Sequence, residues 1–218
     1  MTVRQPHLYI ADPNYPRRSY PSFGNLAIKQ FGHLDPHMPP YSLGVFCAAR
    51  IGHETKWAET ARTCGRLIAQ RSWRIVYGGG GIGLMGQLAD GALEANGPVK
   101  GVIPQKLIDL EQAHRLVADM TVVQTMAERK TVIMQESDDF LVLPGGIGTL
   151  DEFFEVLTAF QLGFHPGRAA ILNQSGFFDT LLAMLDTMVA EFFWRPEARE
   201  APLIDTDPAR LLDALARR

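Results

Sequence analysis

This sequence predicts a single doubly wound α/β domain, a parallel sheet with helices on both faces, and three observations predict it. Short apolar runs alternate with longer segments of helical spacing from residue 43 onward. The strand-like runs are apolar throughout, as strands buried on both faces are. Two glycine-rich turns each lie between such a run and a helical segment. In parallel sheets that is where ligands bind, beyond the carboxyl ends of the strands.

The elements follow in order. Leu43-Gly44-Val45-Phe46-Cys47 forms a first strand, and a helix over 54–71 carries Trp57, Ala61, Cys64, Leu67 and Ile68 on one face. Arg74-Ile75-Val76-Tyr77 is the second strand, followed by a helix over 84–95 with Leu88, Ala92 and Ala95 aligned. A third strand over 99–103 stops at Pro104. A short strand over 120–123 precedes a helix over 126–136, and strand 140–143 leads to a helix over 150–162. Ala169-Ala170-Ile171-Leu172 and a helix over 177–191 come next. Asp207-Pro208, an N-cap followed by proline at the first helical position, opens a last short helix. There is no internal repeat and no interior linker, so residues 41–218 are expected to make one domain.

Composition narrows the function classes. A hydrophobic fraction of 46% over 218 residues excludes global disorder. A net charge of −3 and a pI near 6.1 give no support to a nucleic-acid or anionic-membrane partner. Cys47 and Cys64 stand in an apolar run and a helical pattern, outside any metal-ligand pair. They read as buried free thiols, which suits a reducing cytoplasm. No apolar run approaches the roughly 20 residues of a membrane span, and the N-terminus lacks the apolar core of a signal peptide.

Residues 1–40 differ from the rest. Pro6, Pro13, Pro16, Pro21, Pro36, Pro39 and Pro40 leave little helical or alternating pattern. Either an irregular arm that wraps the domain or binds a partner subunit, or a partly disordered tail, fits this composition. Tyr9, Tyr15, Tyr20, Phe23 and Phe31 favour docking.

The most informative stretch is Pro144-Gly145-Gly146-Ile147-Gly148-Thr149-Leu150-Asp151-Glu152. Glycines between a strand and a helix let the backbone approach an anion, and the first N–H groups of the helix point at it. Thr149 stands at the expected N-cap with Glu152 one turn in, so Thr149-x-x-Glu152 also fits a capping box. Glu152 therefore has two readings, a cap or a catalytic carboxylate. A phosphate cradle beside a carboxylate suggests chemistry on a phosphorylated small molecule.

The other glycine turn contains Gly81-Ile82-Gly83-Leu84-Met85-Gly86, a literal match to the dinucleotide fingerprint G-x-G-x-x-G. That fingerprint also needs an acidic residue about 20 positions on, at the end of the next strand. Here the strand ends Gly101-Val102-Ile103-Pro104, which argues against a nicotinamide cofactor. Thr125-x-x-Glu128 fits another capping box. Arg129 and Lys130 oppose the dipole at that helix start, by roughly 0.3–1 kcal/mol each. Residues that break a local rule often serve a site, although a solvated surface pair fits the same positions.

Taken together, Val76-Tyr77-Gly78-Gly79-Gly80 through Gly86, Glu128-Arg129-Lys130 and Pro144 through Glu152 resemble the Lonely Guy family. Those proteins are cytokinin riboside 5′-monophosphate phosphoribohydrolases, long mislabelled as lysine decarboxylases. The resemblance runs over residues 43–192 and includes Gln161-Leu162-Gly163 and Leu172-Asn173-Gln174-Ser175-Gly176-Phe177-Phe178. It implies a Rossmann-like fold and hydrolysis of the N-glycosidic bond of a purine nucleoside 5′-monophosphate, the base being adenine or an N6-prenylated adenine. By the same resemblance Arg129 and Glu152 form the catalytic pair. Gly145, Gly146, Ile147, Gly148 and Thr149 hold the phosphate, with Lys130, Gly79, Gly80 and Gly81 nearby. No metal or cofactor is implied, and the assembly is a homodimer or larger with active sites near the subunit interface. Two departures bear on substrate preference. Cys47-Ala48-Ala49-Arg50 stands where relatives commonly carry Cys-Gly-Ser-Ser, and Gly81 where they often carry serine.

Two rival readings stay open on the sequence. One is a non-catalytic nucleotide-binding or carrier protein that keeps the cradle. The other, pyridoxal phosphate-dependent decarboxylation, rests only on the old label. Lys130 is the one lysine near the presumed site, and Glu128 and Arg129 beside it argue poorly for a neutral amine.

Overall fold

Residues 41–108 and 113–217 are described by the structure, a computed structural model. The arm expected over 1–40 lies outside them. Seven strands form one sheet in the order β4-β3-β2-β1-β5-β6-β7, and every neighbouring pair is parallel. The strands are β1 (Ser42–Phe46), β2 (Arg74–Tyr77), β3 (Val99–Pro104), β4 (Asp119–Val123), β5 (Asp139–Val142), β6 (Ala169–Leu172) and β7 (Leu203–Asp205). The helices are α1 (Thr55–Gln70), α2 (Gly83–Glu94), α3 (Met126–Gln135), α4 (Ile147–Gln161), α5 (Asp179–Ala190), α6 (Pro196–Glu200) and α7 (Pro208–Ala216). No helix among the described residues is long and apolar enough to cross a membrane.

Both sheet faces are covered, which is why the strands carry no polar alternation. Leu43, Val45, Ile75, Tyr77 and Leu141 pack against Cys64 and Ile68 of α1, Leu88 of α2 and Leu211 and Leu215 of α7. The intervening Phe46, Val76, Phe140 and Val142 pack against Ile133 of α3, Phe153 and Val156 of α4 and Leu185 of α5. Cys47 and Cys64 are buried free thiols, as expected.

The expected boundaries agree with these elements to within a few residues, with two exceptions. The short strand β7 and helix α6 were not anticipated. β7 is a three-residue edge strand with Ile204 39% exposed, too short and too solvated to leave an apolar run. The larger difference concerns α4. Its N-cap is Gly146, in extended conformation, and no side chain caps it. Helix therefore begins at Ile147, and Thr149 lies inside the first turn rather than at its edge. Glycine is tolerated as an N-cap, so the chain turns before it reaches the threonine. Thr149 and Glu152 consequently form no capping box.

Chain order fixes where a ligand can reach the backbone. From β1 the chain moves to β2 and β3 on one side, whereas β5 leads to β6 and β7 on the other. The loops after β1 and β5 therefore diverge above neighbouring strand ends and leave a crevice between them. Leu143 N donates to the Phe46 carbonyl (2.9 Å) and Ala48 N to the Pro144 carbonyl (3.2 Å), which ties the two loops at the crevice floor.

Candidate active site

A cleft of about 380 Å³ occupies that crevice. It is lined by Cys47, Ala48, Ala49 and Arg50 after β1, Gly78 after β2, Met85 of α2, Met126 and Arg129 of α3, and Gly146, Gly148, Thr149 and Glu152 at the start of α4. The structure thus brings together Arg129, Gly146, Gly148, Thr149 and Glu152 of the residues expected from sequence.

The α4 N-terminus forms one wall. Leu150 N is the first amide of the helix to find an intrahelical acceptor, the Gly146 carbonyl at 3.1 Å. The amides before it have none within the helix, and the macrodipole makes that end electropositive. A Cβ added at Gly146 or Gly148 would meet nothing within 4 Å, and neither packing nor a left-handed φ requires glycine there. What the glycines provide is open space above the amides. Gly145 differs, because a Cβ there would stand 2.1 Å from Thr149 Oγ1. Its missing side chain is what lets the threonine tuck in, 4% exposed. Ile147 is 83% exposed and does not line the cleft.

Arg129 is a buried guanidinium. Its Nε donates to the Val102 carbonyl (3.2 Å) and its Nη2 to the Gly78 carbonyl (2.6 Å). Strand-end carbonyls thereby offset the unfavourable position of a cation at a helix start. The capping box over Thr125 and Glu128 forms, with Glu128 N donating to Thr125 Oγ1 (3.1 Å). Glu128 Oε2 accepts from Gln124 N (2.8 Å), so that carboxylate is structural. Glu152 and Arg129 act on the Cys47 thiol from opposite directions. Burial raises its pKa most, Glu152 raises it further and Arg129 lowers it. A thiol held protonated between two opposed charges is not a nucleophile.

Lys130 does not reach the cleft. Its Nζ pairs with Glu155 (2.8 Å) and Asp151 (3.0 Å) beside a separate groove along α3 and α4. Those partners, the Glu155 hydrogen bond first, raise its pKa. A lysine held cationic is the opposite of what a Schiff-base amine requires.

Gly79, Gly80 and Gly81 also stand apart from the lining, which takes only Gly78 from their turn. Gly79 accepts from His114 N (3.0 Å), and Gly80 bridges to Ala113. The α2 N-terminus is closed as well, because Leu84 N and Met85 N both donate to the Ala48 carbonyl (3.0 and 3.3 Å). Of the lining residues, sequence reasoning missed Gly78 and the apolar Met85 and Met126, and it treated Cys47 to Arg50 only as a departure. For Gly78 and Cys47 to Arg50 the signal is positional: residues directly after β1 and β2 sit at the strand ends beside the switch point.

Comparison with known proteins identifies the family. A family model described as "possible lysine decarboxylase" matches residues 85–215. A cytokinin riboside 5′-monophosphate phosphoribohydrolase of Rhodococcoides fascians is 40% identical over 169 residues, 77% of this chain and 85% of that protein. One of Arabidopsis thaliana is 38% identical over 156 residues, 72% of this chain and 73% of that protein. Among solved structures, the molybdenum cofactor binding protein of Rippkaea orientalis aligns with a TM-score of 0.61 at 21% identity, covering 82% of this chain and 97% of that one. The molybdenum cofactor carrier protein of Chlamydomonas reinhardtii gives 0.61 at 20% identity, covering 82% and 98%. At that identity the likeness speaks for the shared Rossmann-like fold alone. The sequence relatives carry the family: this chain belongs to the Lonely Guy phosphoribohydrolases, which are hydrolases of the N-glycosidase type.

Proposed function

We propose that the cleft binds a purine nucleoside 5′-monophosphate and hydrolyses its N-glycosidic bond, giving free base and ribose 5-phosphate. The observation that carries this reading is the open start of α4, with two glycines facing empty space in the same cleft as Glu152. A phosphate on those amides accepts hydrogen bonds at the positive end of the helix dipole. Glu152, further along the same helix, then faces the sugar.

Cleavage of such a bond passes through an oxocarbenium-like transition state. The carboxylate of Glu152 stabilises positive charge on the ribose or activates the attacking water. Arg129, fixed by two backbone carbonyls, orients the nucleotide and the carboxylate. The phosphate is remote from the broken bond, so its binding energy holds the sugar in reacting geometry. Adenine and N6-prenylated adenine both belong to the substrate class, and Met85 and Met126 offer an apolar wall to either. The reading includes a homodimer or larger assembly, for which the exposed Leu162 and Phe164 supply apolar surface, and a cytoplasmic location, which suits the two thiols.

The test is incubation with AMP and with isopentenyladenosine monophosphate, followed by chromatography for free base. The substitution Glu152→Gln is expected to leave the melting temperature close to the parent's, because the helix N-cap is Gly146 and glutamine keeps the side chain's length and shape, while turnover falls by roughly 100-fold or more. Retained turnover in that variant would remove Glu152 from the chemistry. Ligand-induced thermal stabilisation with no base released by the parent over hours would favour the carrier reading instead.

A further inference from the structure

The loop after β1 is anchored on both sides. Ala48 N reaches the Pro144 carbonyl before α4, and the Ala48 carbonyl accepts the first amides of α2. Gly83 backs directly onto Ala49, where a Cβ would stand 2.2 Å from its carbonyl carbon. Arg50 follows immediately on this pinned backbone.

Arg50 is exposed and lines the cleft with Gly146, Gly148, Thr149 and Glu152. Arg129, the other cation of the lining, is engaged with the carbonyls of Gly78 and Val102. Arg50 has no hydrogen bond or ion pair to another described residue. Nor does the preceding Cys47-Ala48-Ala49 carry a hydroxyl that could hold an anion. A guanidinium supplies a planar fork of donors matched to phosphate oxygens.

We propose that Arg50 grips the phosphate of the nucleotide from the rim opposite the α4 amides and sets the preference for phosphorylated over unphosphorylated nucleosides. This rests on the substrate class proposed above. Two donor groups then share the phosphate, the fixed amides of α4 and a side chain that closes over it. Arg50 is a specificity-determining residue for the anion and takes no part in bond cleavage.

Steady-state kinetics of Arg50→Ala and Arg50→Lys with AMP and adenosine, alongside inhibition by ribose 5-phosphate, test the assignment. In Arg50→Ala the KM for AMP and the inhibition constant for ribose 5-phosphate are expected to rise roughly tenfold or more, the usual loss for a charged hydrogen bond. Lysine should restore part of that loss. The kcat/KM for adenosine should stay near the parent's, so the preference for AMP shrinks by the same factor. An unchanged preference together with unchanged inhibition would overturn the proposal and leave Arg50 a solvated rim residue. If the parent releases base from no nucleotide, the reaction proposed above fails, and calorimetric titration with ribose 5-phosphate still decides about Arg50. Binding roughly tenfold weaker in Arg50→Ala would support the grip, and equal binding would overturn it.

Discussion

The two glycine-rich turns look interchangeable in the sequence and do opposite things in the fold. After β2, Gly78 to Gly86 spend their missing side chains on close packing. A Cβ at Gly78 would strike Arg129 Nη2 at 2.0 Å, one at Gly83 the Ala49 carbonyl carbon at 2.2 Å, and one at Gly86 the Gly81 carbonyl oxygen at 2.4 Å. The amides that open α2 are already bonded to Ala48. After β5, Gly146 and Gly148 meet nothing, and both line the cleft at the start of α4. Glycine serves close approach of backbone and side chains in the first turn, whereas Gly146 and Gly148 of the second face open space. The dinucleotide-like pattern lies on the closed turn, which is why matching it says little about what binds.

The contrast breaks most visibly at Gly83. This residue has φ +64°, and an added methyl would collide with backbone rather than with a movable side chain. A left-handed non-glycine residue costs about 1–3 kcal/mol and overpacking about as much again. Gly83→Ala is therefore expected to lose about 3 kcal/mol or more in urea unfolding. A loss below about 1 kcal/mol would mean that the Cys47–Arg50 loop yields easily, and the first turn would then not be the rigid packing device described.

At Gly148 the expected effects separate. Alanine is favoured over glycine within a helix by up to about 1 kcal/mol, and nothing surrounds the new methyl. Gly148→Ala should melt at or slightly above the parent's temperature, yet raise the KM for AMP by roughly tenfold through displaced phosphate contacts. An unchanged KM would mean that the open space above the amides is not where the nucleotide lies.

Much of this was legible in the sequence because it is local. Apolar runs and helical spacing located six of the seven strands, and the Thr125 cap and the Asp207-Pro208 start both form. Arg129 was flagged by its own misfit at a helix start, and the two carbonyls that receive it supply the reason. Lys130 was grouped with it, but adjacent helical residues face different sides, and the lysine turns to Asp151 and Glu155 instead. What the sequence could not disclose were contacts between distant segments. Closure of the α2 amides by Ala48 is one such contact. The burial of Gly80 against Ala113 is another, and together they decide which glycine turn stays open.

Tyr77, the last residue of β2, offers the finest test of the closed turn. Its side chain is fully buried, and its hydroxyl has no hydrogen-bond partner among the described residues. Burial, then Cys47 and Asp90, push the phenol's pKa up, so the group stays protonated. A buried hydroxyl without a partner costs roughly 1 kcal/mol or more, and removing it leaves no other group orphaned. Tyr77→Phe is accordingly expected to gain up to about 1 kcal/mol in stability while base release stays at the parent's rate. If activity instead falls sharply with stability unchanged, the hydroxyl reaches the nucleotide through the cleft floor. The turn after β2 would then join the α4 start in binding, and the division of labour between the two glycine turns would no longer hold.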